Sequence, residues 1–302
     1  MKNITDTGKS IKTKLWNIAV ANKRDKNDNQ IYQLLAIRYV QERLLYRLSI
    51  SRYREKFCLK GGALLYAYDR LDSRPTVDID FLGKNISRDI DVLKGVFTEI
   101  TAMDFPDDGI TFDTDKITAE EITVNKGKTD TMIFLVDGLT LVARIDTMVQ
   151  SVSMDVGFGD VITPAPQNID YPILIQGLPV PSIYAYSLET VVAEKFEAMI
   201  TLAADNSRMK DFFDVYRILK FHQLDLDMLR QAIEATFANR NTQLEENHLL
   251  FRDEFANDDR RNSYWKAFLK RIKWKEELDF KDVWKYITDN LKPYYDNMLP
   301  EA

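Results

Sequence analysis

Residues 57–83, FCLKGGALLYAYDRLDSRPTVDIDFLG, constrain the fold more tightly than any other stretch of the chain. A short apolar run leads into Lys60-Gly61-Gly62, a helix-like stretch covers Ala63 to Leu71, and Arg74-Pro75-Thr76 introduces a strand over Val77 to Leu82. Side chains alternate along a strand, so the pattern directs Val77, Ile79 and Phe81 to one face and Asp78 with Asp80 to the other. Two carboxylates then sit side by side on a rigid edge, the kind of oxygen donor that hard divalent cations such as Mg²⁺ require. Two glycines ahead of a helix allow close backbone approach, helix-terminal N–H groups favour phosphate oxygens, and Lys60 adds a point charge. The Asp-x-Asp spacing alone is uninformative, since Asp113-Thr114-Asp115 and Asp225-Leu226-Asp227 repeat it. The order strand, Gly-Gly, helix, Asp-x-Asp strand carries the signal.

The rest of the chain divides around this unit. Residues 1–56 read as an amphipathic helical lead-in, with Ile31, Leu34, Leu35 and Tyr39, then Leu44, Leu45 and Leu48, at three- and four-residue spacing. Residues 57–179 change to short β-branched runs broken by turn signals at Asp107-Asp108-Gly109, Asn125-Lys126-Gly127 and Asp137-Gly138, the texture of a mixed α+β domain. Pro164, Pro166, Pro172, Pro179 and Pro181 mark a connecting stretch, after which residues 180–302 read as all-helical.

Composition excludes several chemistries. A single cysteine, Cys58, and two histidines, His222 and His248, leave no disulfide framework, no Cys-cluster zinc site and no mechanism built on several imidazoles. Carboxylates, lysines, arginines and hydroxyls must carry the chemistry. No run approaches the ~18 apolar residues of a membrane helix, and Met1 to Lys14 lacks the apolar core of a secretory signal, so a cytoplasmic protein with no membrane partner is expected. The net charge of −6 is uneven: residues 1–60 hold 14 Lys/Arg against 5 Asp/Glu, or +9, leaving −15 for the remainder. That asymmetry leaves room for a polyanionic partner tracked by the N-terminal segment. A second basic stretch, Arg260 to Lys275, has seven Lys/Arg and no acid, and reads first as solvated helix faces.

Two helical segments carry further candidates. In SLETVVAEKFEAMITLA (187–203), Ser187 suits the helix cap and Glu189 the first turn. At about 100° per residue, Lys195 falls within the apolar stripe of Leu188, Val191, Val192, Met199, Leu202 and Ala203, while Glu189, Glu194 and Glu197 fall on the opposite face. Lys195 therefore faces either a phosphate-filled cleft or snorkels from a buried stem. In DNSRMKDFFDVYRILK (205–220), Asp211, Val215 and Ile218 share one inward face, Lys210 and Asp214 are spaced as a surface ion pair, and Arg208 at the turn could clamp phosphate or fix the helix start. Lys195 and Asp211 lie at different heights from the intervening turn, so they are expected to reach different parts of one ligand rather than each other.

The strand, Gly-Gly, helix, Asp-x-Asp order resembles the core unit of polymerase-β-like nucleotidyltransferases. Together with LKGGALL (59–65), RPTVDIDF (74–81), AEKFEAM (193–199) and SRMKDFFDVY (207–216), and with VGFGDVITPAP followed by YPIL, it is similar to the AbiEii/AbiGii family of nucleotidyltransferase toxins of type IV toxin-antitoxin and abortive-infection systems. The likeness runs through about 57–220 and is slight in 1–56 and 225–302. It implies an α+β fold in which a mixed sheet with flanking helices is followed by a C-terminal helical domain contributing to the active site. It implies an enzyme that takes a nucleoside triphosphate with Mg²⁺ or Mn²⁺, adds a nucleotide to an RNA acceptor, often the 3′ end of tRNA, and is neutralised by a separately encoded antitoxin. Matched residue by residue, Lys60, Gly61 and Gly62 would hold phosphate, Asp78 and Asp80 would ligate metal, Lys195 would bind the triphosphate and Asp211 would be a catalytic carboxylate from the helical domain. A third metal-ligating carboxylate is expected on a neighbouring strand; Asp155 in VSMDVGFGDVI, with Asp160 beyond it, is preferred over Asp146 in LVARIDTMV. Gly61-Gly62 and Thr76 stand where the superfamily pattern more often has Gly-Ser, which leaves the nucleotide's anchoring hydroxyl open. Nucleotidyl transfer to a protein, or a non-catalytic nucleotide-binding module, are the alternative readings.

Overall fold

The computed structural model describes residues 4–22, 30–124 and 134–300. The Asn125-Lys126-Gly127 turn expected from the sequence lies outside them. The chain forms two compact units: one takes the described residues up to Val124 with Phe134–Gly159 and Gln167–Ala185, the other Asp160–Pro166 and the chain from Tyr186 onward. The proline-rich stretch is therefore more than a connector. Within it Gln167–Asp170 and Ser182–Ala185 pair as antiparallel strands and join the sheet of the first unit.

That unit is built on helices α1 (Ile4–Ala21), α2 (Gln30–Ile50), α3 (Gly61–Asp69) and α4 (Ile90–Thr101), and on strands β1 (Phe57–Lys60), β2 (Asp78–Gly83), β3 (Ile110–Phe112), β4 (Thr118–Val124), β5 (Phe134–Ile145), β6 (Met148–Gly157), β7 (Gln167–Asp170) and β8 (Ser182–Ala185). The sheet runs β3-β5-β6-β2-β1-β8-β7, with β4 also paired to β5. It is mixed: β2 runs parallel to β6 and β1 parallel to β8, while β1 and β2 are antiparallel. Alternation along β2 buries Ile79 and Phe81, and Phe81 packs against Phe57 and Phe97 with ring centroids 5.6 and 6.4 Å apart. Val77, expected on the same inner face, lies just before the strand and is 51% exposed.

Helix α2 departs from the amphipathic lead-in that its leucine spacing suggests. Leu35, Tyr39, Leu44, Leu45 and Leu48 are buried, but so are Arg38, Gln41, Glu42, Arg43 and Arg47. The helix is enclosed on nearly all sides, and the basic character of the first sixty residues is partly spent inside the fold. A buried charge must be paired to be tolerated. Arg47 reaches across to Asp108 (Nη1 to Oδ2 2.6 Å) and donates from Nε to the Met103 carbonyl, while Asp108 accepts from the Ile110 N–H and its carbonyl accepts from the Tyr39 hydroxyl. Glu42 accepts from the Leu174 N–H and contacts Arg43, whose Nη2 donates to the Pro179 carbonyl. Burial pushes the Glu42 carboxyl up to about 7 against the pull of Arg43. These bonds tie α2 to three distant parts of the chain.

The second unit consists, among the described residues, of helices α5 (Leu188–Leu202), α6 (Met209–Phe221), α7 (Leu226–Asn239), α8 (Asp253–Ala256), α9 (Asp259–Arg271) and α10 (Phe280–Asp296). Ser187 caps α5 by accepting from the Thr190 N–H, Asp225 caps α7 and Asp258 caps α9, each satisfying N–H groups that a helix start leaves open. An aromatic core holds them: Phe212 packs on Phe255 and Phe280, and Phe213 on Trp265 and Phe268. Trp265 donates its indole N–H to the Leu278 carbonyl and Trp284 to that of Leu250, so both rings are buried without an orphaned donor.

Arg47→Ala would leave the Asp108 carboxylate buried and unpaired, and should cost about 3 to 5 kcal/mol in urea-unfolding measurements. The double replacement Arg47→Met with Asp108→Leu should recover most of that loss.

Candidate functional site

In the first unit the sheet register assembles the sequence-predicted carboxylates. Lys60 of β1 pairs opposite Asp80 of β2, and Asp80 pairs opposite Asp155 of β6. Residues opposite one another in a ladder point to the same face, so Lys60, Asp80 and Asp155 form a row across three strands spaced about 4.8 Å apart. Asp78 lies two residues back on the same face, opposite Ser153. All four side chains are half-buried. Asp146, the competing choice for a third carboxylate, sits in the tight turn closing the β5–β6 hairpin, with φ +52°, and accepts from Lys12 at 2.9 Å. The register does not bring it to the row.

The start of α3 is pressed against this row. Gly61 has φ +67°, and a Cβ there would overlap the Asp80 carboxylate, lying 2.5 Å from its Cγ. Only glycine combines that backbone with that approach. A Cβ on Gly62 would lie 2.9 Å from Thr76 Oγ1, so the Thr76 hydroxyl stands directly at the helix start. The amine of Lys60 reaches toward β6, 3.7 Å from where a Cβ on Gly157 would be. The donors suit a hard divalent cation in kind, and Asp80 and Asp155 suit it in placement, being direct neighbours across a parallel ladder. No three carboxylate, imidazole or thiol groups among the described residues converge into a ready-made metal cage.

In the second unit Lys195 and Asp211 meet, contrary to the expectation that they reach apart. Lys195 Nζ lies 2.5 Å from Asp211 Oδ1 and 3.0 Å from Asp214 Oδ2. The short turn after α5 packs α6 against it, and the lysine stem spans the remaining gap. Asp214 is therefore a buried partner of Lys195. Arg208 donates from Nε to Asp211 Oδ2 at 2.6 Å, and its own N–H bonds Asn206. Burial by itself would push the Asp211 carboxyl up, but Lys195 and Arg208 overcome it and hold it at about 2. The Lys195 side chain is 13% exposed, so neither a solvated ammonium nor an unpaired one describes it.

The acids of α5 also behave differently from a solvent face. Glu189 and Glu197 are buried, and Glu189 accepts from the Asp225 N–H. Arg240, which no sequence signal singled out, explains the others: its guanidinium contacts Asp160 at 2.8 Å, Glu197 at 2.5 Å and Glu194 at 3.7 Å. Burial works against its charge, but these carboxylates raise its pKa and keep it protonated. Glu194 and Glu197 flank Lys195, so Arg240 fixes the helix turn that presents the lysine. Three acids in one largely apolar helix were the available hint that a cation had to answer them. Asp160 is engaged here, within the second unit.

A sequence model of the family described as nucleotidyl transferase AbiEii toxin, type IV toxin-antitoxin system, matches residues 43–287. No curated protein matches the chain significantly. Among solved structures, JHP933 from Helicobacter pylori is 13% identical with a TM-score of 0.50, the match covering 88% of this chain and 93% of that one. A provisionally assigned nucleotidyltransferase from H. pylori is 14% identical with a TM-score of 0.49, covering 88% and 96%. At such identity the first of these speaks to the fold alone, a mixed sheet with flanking helices.

Gly61→Ala should cost about 1 to 2 kcal/mol in thermal unfolding through its positive φ, and should reduce activity further by displacing Asp80. Asp211→Asn should lose about 2 kcal/mol at pH 7, the stability linked to a carboxyl held at about 2 instead of 3.8. That contribution is complete above the unfolded value and vanishes as pH falls through the folded one. The deficit of the variant should therefore shrink between about pH 4 and pH 2 in denaturant titrations.

Proposed function

The chain belongs to the AbiEii nucleotidyl transferase toxin family of type IV toxin-antitoxin systems, and from that premise we propose that it transfers a nucleoside monophosphate to the 3′ end of an RNA, with tRNA as the foremost acceptor and Mg²⁺ or Mn²⁺ as the assisting ion. Family membership supports a nucleoside triphosphate as substrate and a separately encoded antitoxin as partner. The observation that carries the reading is the row of Lys60, Asp80 and Asp155 with Gly61 against it, since a carboxylate pair beside a phosphate-binding helix start is what an in-line phosphoryl displacement needs.

In this reading the acceptor hydroxyl gives up its proton to solvent and attacks the α-phosphate, a new P–O bond forms, and the bond to the β-phosphate breaks with pyrophosphate leaving. Asp78, Asp80 and Asp155 would hold the divalent ion, whose chemistry is charge neutralisation at the α-phosphate and the leaving group. The backbone of Gly61 and Gly62 and the Lys60 amine receive the phosphates, and Thr76 Oγ1 offers the anchoring hydroxyl. Lys195 is assigned to the triphosphate and Asp211 to a catalytic carboxylate on the strength of AEKFEAM and SRMKDFFDVY. Their direct contact adds that Asp211 and Asp214, with Arg208 holding Asp211, set the position of Lys195. Catalysis then rests on positioning and electrostatics. No helix among the described residues is long and apolar enough to cross a membrane, and we place the protein in the cytoplasm with its nucleotide and RNA substrates.

Incubation with Mg²⁺, total bacterial RNA and each α-labelled nucleoside triphosphate in turn tests this directly. Label should enter RNA with wild-type protein and fall by at least about a hundredfold with Asp80→Ala, while the far-UV spectrum is unchanged. Label in RNA at the wild-type rate from Asp80→Ala would remove the carboxylate-row mechanism, and label in protein instead of RNA would replace the acceptor.

A further inference from the structure

The second unit contains a cavity of about 530 Å³, lined by Ser207, Arg208 and Lys210 at the start of α6 and by Tyr264, Phe268 and Arg271 on α9, with Met209 and Ala267 completing it. Its size falls within the roughly 300 to 1,000 Å³ typical of small-molecule sites. Three cations line it and no acid does, in a chain whose net charge is −6. On α9, Tyr264, Ala267 and Arg271 recur at i, i+3 and i+7, so one stripe of the helix presents an aromatic ring, a gap and a guanidinium to the same space. Tyr264 is 42% exposed, and Arg271 stacks on Phe268 at 5.7 Å. The basic run Arg260 to Lys275 is therefore not a uniformly solvated face: Arg261 is buried over Phe255, and Arg271 lines the cavity.

We propose that this cavity is a nucleotide-binding subsite, in which Arg208, Lys210 and Arg271 receive a phosphate and Tyr264 stacks on the base. It rests on the nucleotidyl-transfer reading for its ligand class and extends it to a place on the molecule. A cationic groove carrying an accessible aromatic ring is the recurrent way to hold a nucleotide without reading its sequence, the cations meeting the backbone and the ring any base. The side chains carry most of this, because the N–H groups of Arg208, Met209 and Asp211 already bond Asn206, Ser207 and Arg208. Arg208 also links the cavity to the Lys195 cluster: its Nε is held by Asp211 while its side chain remains 43% exposed. A phosphate in the cavity would thus be read by a residue that sets the charge beside Lys195. The same chemistry is present in the triphosphate substrate and in the terminal nucleotide of an RNA acceptor.

Fluorescence anisotropy on the full chain separates the two sources, with a labelled single-stranded oligoribonucleotide in one arm and a labelled α,β-methylene nucleoside triphosphate with Mg²⁺ in the other. Arg271→Met and Tyr264→Ala replace exposed side chains and should leave the fold intact. Each should weaken one arm by about tenfold, Tyr264→Phe should retain binding because stacking does not need the hydroxyl, and Lys281→Met on the exposed face of α10 should change neither. Loss in the oligoribonucleotide arm assigns the acceptor, and loss in the triphosphate arm assigns the donor substrate. Affinities unchanged in both arms for both variants, or no binding of either probe by the wild type, overturn the proposal. Wild-type transfer with an unaltered KM for both substrates in the variants would defeat the subsite and leave the catalytic reading standing. Binding that depends on Arg271 and Tyr264 in a protein that labels no acceptor would do the reverse.

Discussion

The parallel ladder between β2 and β6 is the constraint on which the strand-borne site depends. It places Asp155 directly opposite Asp80, and a slip of one residue would send one of the two carboxylates to the other face of the sheet. The hydrophobic pattern of β2 opposes such a slip, because Ile79 and Phe81 are buried on the face that Asp78 and Asp80 do not use. The antiparallel partner β1 then brings Lys60 into line from the other side and delivers the chain into α3 at Gly61. Core packing on one face thus sets the charge geometry on the other, and the missing side chain at Gly61 lets the helix start close against it.

Much of the charge inside the fold is answered by opposite charge, while the buried Arg38 lies over the Tyr66 ring. Arg47 with Asp108, Arg240 with Asp160, Glu194 and Glu197, and Lys195 with Asp211 and Asp214 are all placed where water cannot solvate them fully. Such pairs add less stability than apolar replacements of the same shape would, yet breaking one of them is expensive. Their shared effect is directional: each links segments far apart in the chain, or, for Lys195, two helices, in one geometry. For Lys195 this has a chemical consequence, since an ammonium held between two carboxylates has a defined position.

The unit of 57–83 was legible because local pattern and chemistry coincide there. Period-two alternation located the β2 carboxylates, and two glycines announced a close approach that the structure shows to be with Asp80 and Thr76. Helical periodicity likewise placed Lys195 and Asp211 on inward faces, and Ser187 caps α5 as its position suggested. Legibility failed wherever a residue's partner lies far off in sequence. Nothing local to Arg240 foretells three acids, the α5 glutamates look like a solvent face until α7 and the Asp160–Pro166 segment are folded beside them, and α2 reads as amphipathic although arginines occupy its buried sides. The strands β7 and β8 were hidden among prolines, whose turn signals outweigh two four-residue runs.

By itself, then, the sequence determined the strand, Gly-Gly, helix, Asp-x-Asp strand order of residues 57–83, the residue types available for chemistry and the faces on which Asp78, Asp80, Lys195 and Asp211 lie, because the faces follow from backbone periods of 2 and 3.6 residues. Only the tertiary structure decided which carboxylate stands beside Asp80, that Lys195 and Asp211 touch, and that Arg208, Tyr264 and Arg271 surround one cavity. Those facts depend on strand register and on the packing of one helix against another. Both are settled by burying apolar surface across long loops, a global balance that no short window of residues contains.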